Sequence, residues 1–245
     1  MPRSSTDLAQ ALHNARISPL LHRALRGCRT LILSWVSGFG RIWAFWIACA
    51  VAVALRFAAL WWLDGFLSPY DPKTYVDLAH GLIENQTYGI HNANYGYLQA
   101  GYPPLYPTLL AAIGLVFGVN LYTVTSFNCL LDVGTGYAVY RLAGRHWLAP
   151  AIFLLWPTLI IYATVPQKES LSTLLIALLT ITRFRPVAFG AISGALALAQ
   201  PALLPFPVIL AISTKMGWRP AALAAGLALA VLAPWVVRNW ILFAQ

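Results

Sequence analysis

The sequence predicts an all-α integral membrane protein with about seven transmembrane helices. Of its 245 residues, 60% are hydrophobic and only 9% are charged, and the mean hydropathy is +0.69. Soluble domains carry roughly 25% charged residues, so most of this chain must face lipid or other apolar helices. The net charge of +9 does not indicate a nucleic-acid partner, because basic residues in a membrane protein report which loops are cytoplasmic. The three cysteines, Cys28, Cys49 and Cys129, indicate neither a disulfide framework nor a metal cluster.

Residues 1–41 form a basic segment in which only Asp7 opposes the arginines. Leucines recur between the arginines at roughly helical spacing, which predicts an amphipathic helix on the anionic cytoplasmic leaflet. A flexible basic tail is the alternative. The charged region is too long for a cleavable signal, so the first span is predicted to be an uncleaved anchor. The arginines are Arg3, Arg16, Arg23, Arg26, Arg29 and Arg41.

Apolar runs follow along the rest of the chain, and several are shorter than the ~20 residues that a straight spanning helix needs. We therefore expect tilted or kinked helices. The runs predicted to span are 42–63, 121–143, 147–163, 170–182, 187–200, 202–214 and 220–237, with a further apolar piece at 104–118.

Basic residues set the orientation. With a cytoplasmic N-terminus and 104–118 lying at the interface, 12 of the 16 Lys and Arg residues fall on the cytoplasmic side. If 104–118 spanned, Arg141 and Arg145 would move outside and the asymmetry would weaken. Residues 64–120 are therefore predicted to form one large periplasmic loop, within the module 42–245. Most acidic residues sort to the outer side: Asp64, Asp71, Asp77, Glu84 and Glu169.

The outer loop is rich in tyrosines and amides in the stretch "ENQTYGIHNANYGYLQAGYPPLYP", residues 84–107. Such side chains suit stacking on sugars and recognition of hydroxyl groups. For any single tyrosine, the aromatic belt of a membrane interface is the alternative.

An ordered series of short motifs runs through residues 42–245. Arg56 lies in the first apolar run and is followed by "YDPKTYVDLA" from Tyr70 and "PPLYP" from Pro103. The series continues with "YRLAGR", "LWPTLIIYATVPQKES", "AQP" and "APWVVRNW". In order and spacing this series resembles the GT-C glycosyltransferase superfamily. Within it, the chain is most similar to the branch with the protein mannosyltransferases and the lipid A aminoarabinose transferases.

The resemblance implies a seven-span catalytic module in the bacterial inner membrane, with its active site on the periplasmic side. It implies juxtamembrane helices at 73–84 and 104–118, and a sugar donor carried on a polyprenyl phosphate. By the same mapping, Asp71 is the catalytic carboxylate and Glu169 is the second functional carboxylate. The pocket for sugar and acceptor is expected to include Tyr70, Tyr75, Tyr102, Tyr106 and Gln200.

The chemistry of such a transfer needs few groups. Polyprenyl phosphate is a good leaving group, so one carboxylate that takes the acceptor proton is sufficient, and a single displacement inverts the anomeric centre. The departing phosphate needs a cation, from Lys or Arg or from a divalent metal ion. The candidates are Lys73, Lys168, Arg238 and Arg56. Two alternatives stay open: Lys73 extends to the lipid headgroups, or Arg56 pairs structurally with Asp132 or a backbone carbonyl.

The chain departs from the family pattern at three places. Gly101 and Tyr102 replace an acidic and a basic residue, which weakens the case for a metal site there, and Gln200 replaces a basic residue. The sequence ends at Gln245, so a partner protein is expected to supply the C-terminal part. Two other functions remain open: a non-catalytic GT-C-like scaffold or lipid-binding subunit, and a transporter of lipid-linked sugars.

Overall fold

The computed structural model describes residue 40 and residues 42–63, 71–92, 96–99 and 101–243. Within these ranges the chain is mostly helical, as predicted. It divides into two compact units, Met1–Ala44 and Phe45–Gln245. The first unit lies almost wholly outside the described residues, and so does the predicted amphipathic segment 1–41, which stays a prediction. The described residues belong to the second unit, apart from residue 40 and residues 42–44.

The helices follow the predicted apolar runs closely, because each run is bounded by Pro, Gly or charged residues. Their bounds are α1 (Ile42–Trp62), α2 (Asp71–Asn85), α3 (Leu105–Phe117), α4 (Leu121–Leu142), α5 (Leu148–Leu154), α6 (Pro157–Tyr162), α7 (Glu169–Thr182), α8 (Pro186–Ala199), α9 (Pro205–Ser213) and α10 (Trp218–Phe243).

Among the described residues, two helices, α1 and α10, are long and apolar enough to cross a membrane. Buried core helices and signal sequences can meet the same criterion. In the most hydropathic window, however, only 28% of α1 and 6% of α10 is buried. Apolar helices left so uncovered need lipid or another protein against them. The structure thus supports membrane association through two candidate spans.

Two predicted spans are interrupted. The run 147–163 forms α5 and α6, and Pro157 is the first residue of α6. Proline lacks the N–H that would continue the preceding helix, which accounts for the break. The run 202–214 begins as a 3-10 turn, Pro201–Leu203, before α9.

The outer loop contains a β-hairpin that the sequence did not predict. Strand β1 (Gly89–Asn92) pairs antiparallel with β2 (Gly96–Gln99), with Gly89 opposite Gln99. Four-residue strands are too short to give a clear alternation of apolar and polar residues, which explains the omission. The hairpin packs next to α2.

The core is formed where α2, α3, α4, α7 and α8 pack together. Its largest members are fully buried aromatic and aliphatic side chains from these helices. They include Tyr75, Leu78, Tyr106, Leu110, Val124 and Leu179. Tyr75, Tyr88 and Tyr106, from the segment predicted to be the outer loop, are themselves part of this core.

Helices α8 and α10 approach each other closely through two glycines of α8. A Cβ added at Gly190 would meet the Ala224 carbonyl oxygen, and one added at Gly194 would lie 2.8 Å from the Ala228 carbonyl oxygen. Small residues four apart permit this backbone contact between apolar helices. The contact fixes α10 against α8 while leaving most of the surface of α10 exposed.

Candidate functional site

Asp71 is the first residue of α2, two residues before the predicted start of that helix. Its carboxylate is exposed and lies in the first turn, where the helix dipole favours a negative charge. Pro72 follows at a position where a helix requires no N–H. The local sequence therefore both starts the helix and presents the Asp71 carboxylate at its end.

Glu169 is the first residue of α7, immediately after Lys168. Its oxygen Oε2 is buried without a hydrogen-bond partner. A buried carboxylate oxygen without a partner is costly, and such groups occur where a ligand can supply the missing donor. The two predicted carboxylates thus stand at the N-termini of two different helices.

Tyr75 and Lys168 connect the two carboxylates. The Lys168 ammonium lies 5.7 Å from the centroid of the Tyr75 ring, within cation–π range. Tyr75 is 1% exposed, and its hydroxyl is left without a hydrogen bond of proper geometry. Burial raises the pKa of Tyr75, with Lys168 lowering it and the charges of Asp71 and Glu169 raising it further. Both carboxylates are therefore within electrostatic reach of one phenol ring.

Lys168 is held in its charged form. Burial lowers the pKa of its ammonium, but Tyr75, Glu169 and Asp71 together raise it, and the net pKa lies above the ordinary value of lysine. A charged ammonium can donate hydrogen bonds to the oxygens of a phosphate. The structure thus brings together four predicted residues: Asp71, Tyr75, Lys168 and Glu169.

Tyr102 and Tyr106 stand beside this group. Tyr75 makes edge-to-face contacts with the rings of Tyr106 and Tyr102, at centroid distances of 5.4 and 6.3 Å. The Tyr106 hydroxyl donates to Asn128 Oδ1 at 3.3 Å. The three predicted tyrosines therefore form one aromatic wall next to the carboxylates.

Asn128 was not identified from the sequence. It is fully buried in α4, and its Nδ2 donates to the carbonyl oxygens of Ala163 and Val165 at 3.2 and 3.0 Å. It thereby fixes the segment that leads into Lys168 and Glu169. The available signal was an amide inside an apolar run, where a polar side chain needs a dedicated partner.

Arg238 lies against the outer loop. Its Nη2 donates to the Tyr88 carbonyl oxygen at 3.2 Å, and its guanidinium lies 4.6 Å from the Trp235 ring centroid. The Tyr88 hydroxyl lies 3.2 Å from the carbonyl oxygens of both Tyr102 and Pro103. Arg238 is therefore engaged in holding the start of the hairpin.

Arg56 forms the structural pair that the sequence left open. It is 1% exposed, and its Nη2 and Nε lie 2.9 and 3.1 Å from Asp132 Oδ2. Its Nη1 donates to the carbonyl oxygens of Ala52 and Leu154, each at 3.0 Å. These contacts join α1, α4 and α5, and they occupy all three guanidinium nitrogens.

The remaining predicted residues contribute less. Lys73 is exposed, and its ammonium lies 3.7 Å from Asp77 Oδ2 on the same helix. Gln200 ends α8, where its backbone N–H donates to Leu196 O at 2.7 Å. Tyr70 lies outside the described residues.

The described ranges contain no group of three or more His, Cys, Asp or Glu side chains placed to hold a metal ion. The two site carboxylates are the oxygen ligands that a divalent ion prefers.

No protein-family model matches the chain, and neither the curated proteins nor the solved structures include a significant match. The function is therefore inferred from the geometry of the site and from the series of motifs in residues 42–245.

Proposed function

We propose that the protein is a membrane glycosyltransferase that moves a sugar from a polyprenyl-phosphate-type lipid to a lipid, polysaccharide or protein acceptor. One observation carries the proposal: Lys168, which precedes Glu169 at the start of α7, places its ammonium 5.7 Å from the ring centroid of Tyr75, one helical turn after Asp71 at the start of α2. The site combines an exposed carboxylate, a charged amine and an aromatic wall. These are the groups that an inverting transfer from a lipid phosphate requires.

In the proposed reaction, Asp71 is the general base. The acceptor hydroxyl attacks the anomeric carbon and forms the new C–O bond, while the bond from that carbon to the phosphate oxygen breaks. The phosphate leaves with the bonding electron pair, and the hydroxyl proton passes to the Asp71 carboxylate. Asp71 suits this role because it is exposed at the edge of the site, where an acceptor can approach.

Lys168 is assigned to the departing phosphate, because its pKa is raised and its ammonium lies over the Tyr75 ring, next in sequence to Glu169. The buried Oε2 of Glu169 can accept a hydrogen bond from a hydroxyl of the donor sugar or the acceptor. Arg56 is left out of the phosphate site, since its nitrogens are occupied by Asp132 and two backbone carbonyls. No step of this reaction is routed through a metal ion.

The membrane arrangement is part of the same proposal. We infer that the chain crosses the bacterial inner membrane seven times, with a cytoplasmic N-terminus and the site on the periplasmic side. Helix α7 supports the separation of sides, because Glu169 begins it and Arg183 follows its end, about 20 Å away for a 14-residue helix. The basic turns near Arg183 and Lys215 line a common cavity, so they lie at the same end of the helices.

The proposal is tested by identifying the substrate first. The lipid-linked glycan that accumulates when the protein is removed from its cell would be isolated and supplied to the purified full-length protein in proteoliposomes, with a membrane extract of the cells that lack the protein as the source of the acceptor. We expect the purified wild-type protein to consume this glycan and the Asp71→Asn variant to leave it unchanged. Equal turnover by the wild-type protein and Asp71→Asn would refute the role of Asp71.

A scaffold function is the second candidate, supported by the exposed apolar surface of α10, which a partner protein could cover. A scaffold would show no transfer in any purified form but would co-purify with a partner enzyme. A transporter would move the lipid-linked sugar between leaflets without changing its chemical structure. The accumulated glycan distinguishes the three functions when it is supplied to the purified protein.

A further inference from the structure

An apolar groove runs along α8, α9 and α10, on a part of the molecule that the proposed reaction does not use. Its volume is about 550 Å³, within the range of small-molecule pockets. Ser193 is the sole polar side chain among its lining residues, and its hydroxyl donates to the Phe189 carbonyl oxygen at 2.7 Å. The groove therefore offers an apolar ligand no unpaired polar group.

The length of the groove matches one leaflet of a bilayer. On α10 the lining extends from Ala221 to Leu232, which corresponds to about 17 Å at 1.5 Å per residue. The hydrocarbon core of a bilayer is ~30 Å thick, so one leaflet contributes roughly half of that. A single acyl chain that enters from one face would fit this length.

One end of the groove opens into a basic mouth. Met216 lines the groove and also a second cavity of about 230 Å³, which is lined by Arg183, Lys215 and Thr214. Arg183 uses Nη1 to donate to the Thr180 carbonyl oxygen at 2.6 Å, which engages one of its donor groups. Two cations at the end of an apolar groove are complementary to a phosphate attached to an acyl chain.

Lys215 occupies an unusual backbone position in this mouth. Its φ of +52° is left-handed, and Met216 N donates to Ala211 O at 3.0 Å to close the end of α9. Glycine is the residue that helix ends usually place there. Lys215 thus adopts a less favourable backbone conformation at a position that lines the basic mouth.

We propose that the groove and its basic mouth form a binding site for an anionic phospholipid. The phosphate lies between Arg183 and Lys215, and one acyl chain extends along α8, α9 and α10. The mouth lies about 20 Å from Glu169 along α7, so a donor phosphate at the candidate site is too far away to use it. The inference does not depend on the proposed glycosyltransferase activity.

The test compares two lipids with the full chain purified in detergent. Phosphatidylglycerol and phosphatidylcholine with the same acyl chains would be added, and bound lipid would be counted by native mass spectrometry. We expect preferential retention of phosphatidylglycerol. Arg183→Gln and Lys215→Gln should each weaken that retention about fivefold, since one basic residue near an anionic lipid contributes ~1 kcal/mol. Arg219→Gln is the matched control, because Arg219 is exposed and lies outside the mouth.

Two further variants separate the roles of headgroup and chain. Lys215→Gly relieves the left-handed backbone, so we expect it to fold at least as well as the wild type yet to show the same roughly fivefold weaker retention of phosphatidylglycerol as Lys215→Gln. Ala225→Trp fills the groove and should prevent binding of both lipids. Ala222→Trp, at an exposed position of the same helix outside the groove, should leave the binding of both lipids unchanged.

Several outcomes would overturn the proposal. Equal retention of the two lipids would show that the basic mouth does not select an anionic headgroup. Unchanged retention of phosphatidylglycerol by Lys215→Gly would show that Lys215 does not contact the lipid. Displacement of phosphatidylglycerol by polyprenyl phosphate at equal concentration would assign the groove to the donor tail. Crosslinking of residue 225 to a partner protein in membranes would assign it to a protein interface. If Ala225→Trp fails to fold, the lipid preference of Lys215→Gly decides.

Discussion

The buried pair of Arg56 and Asp132 and the site formed by Asp71, Lys168 and Glu169 both combine a cation with carboxylate, and they differ in how many of their hydrogen bonds are made. Arg56 and Asp132 are buried, and each guanidinium nitrogen of Arg56 has a partner. At the site formed by Asp71, Lys168 and Glu169, one carboxylate is exposed and an oxygen of the other is buried without a partner.

The difference separates a structural pair from a site that can bind. An arginine whose three guanidinium nitrogens each donate to a protein acceptor is committed to those acceptors, and it stabilises the contact of the helices it joins. A carboxylate oxygen without a donor, beside a charged amine, is poised to exchange partners with a substrate. The Asp132 Oδ1 atom also lacks a hydrogen-bond partner, but Asp132 is 1% exposed and its other oxygen is already paired with Arg56.

The largest expected effect is that of Asp71→Asn on activity. Removal of a general base typically lowers a rate by about 10²- to 10⁴-fold, and transfer from the lipid-linked sugar should fall by that amount. The measurement is initial rate in proteoliposomes. Asp77→Asn is the control, because Asp77 lies on the same helix but is paired with Lys73. If Asp71→Asn and Asp77→Asn lose activity equally, the loss reflects a general disturbance of helix α2 and not the removal of a general base.

The second prediction concerns stability at the structural pair. Arg56→Met leaves Asp132 buried without its cation and should lower the free energy of unfolding by about 3–5 kcal/mol. The double variant Arg56→Met with Asp132→Leu should recover most of this loss, since an apolar pair needs no desolvation of charge. Chemical unfolding in detergent measures both. A double variant as unstable as the single one would contradict the structural role.

The third prediction concerns donor binding. Lys168→Gln should raise the KM for the lipid-linked donor roughly tenfold, because a hydrogen bond to a charged group contributes about 1.5 kcal/mol or more. Stability should change little, since the ammonium is at the edge of the core. Lys73→Gln, at an exposed lysine of α2, should leave KM unchanged. An equal effect of both substitutions would indicate general attraction to the membrane surface.

The smallest effect is a loss of stability at alkaline pH. The pKa values of Lys168 and Tyr75 are both raised above their ordinary values. The stability that each contributes is complete below its unfolded-state pKa and disappears as the pH rises through the higher folded-state pKa. We expect constant stability from about pH 7 to 9 and a decline above about pH 10. The decline in stability above about pH 10 should be smaller in Lys168→Gln. It should persist in the variant that replaces Arg56 and Asp132.

Much of the helical framework could be predicted because hydrophobic runs in this chain end at Pro, Gly or charged residues. The start of α7 at Glu169 and the segment Leu105–Phe117 both follow from such boundaries. The interruption at Pro157 and the hairpin at Gly89 were missed. The first needed the rule that proline cannot continue a helix, and the second depends on pairing between short strands that carry little pattern of their own.

The residues of the site were predicted from the sequence, but their arrangement in space was not. That Asp71 and Glu169 act on one phenol follows from the packing of α2 against the segment before α7, which spacing in sequence does not reveal. Asn128 shows the same limit, since its partners Ala163 and Val165 are 35 and 37 residues away. The choice between Arg56 as a ligand contact and as a structural pair likewise depended on which side chain it meets in three dimensions.

The contact of Arg238 with Tyr88 ties the last helix mechanically to the pocket. A shift of α10 along its axis would pull on the Tyr88 carbonyl, and Tyr88 in turn holds the carbonyls of Tyr102 and Pro103 through its hydroxyl. Tyr102 then touches the Tyr75 ring. Whatever covers the exposed surface of α10 is therefore connected, through Tyr88, Tyr102 and Tyr75, to the contact between Tyr75 and Lys168.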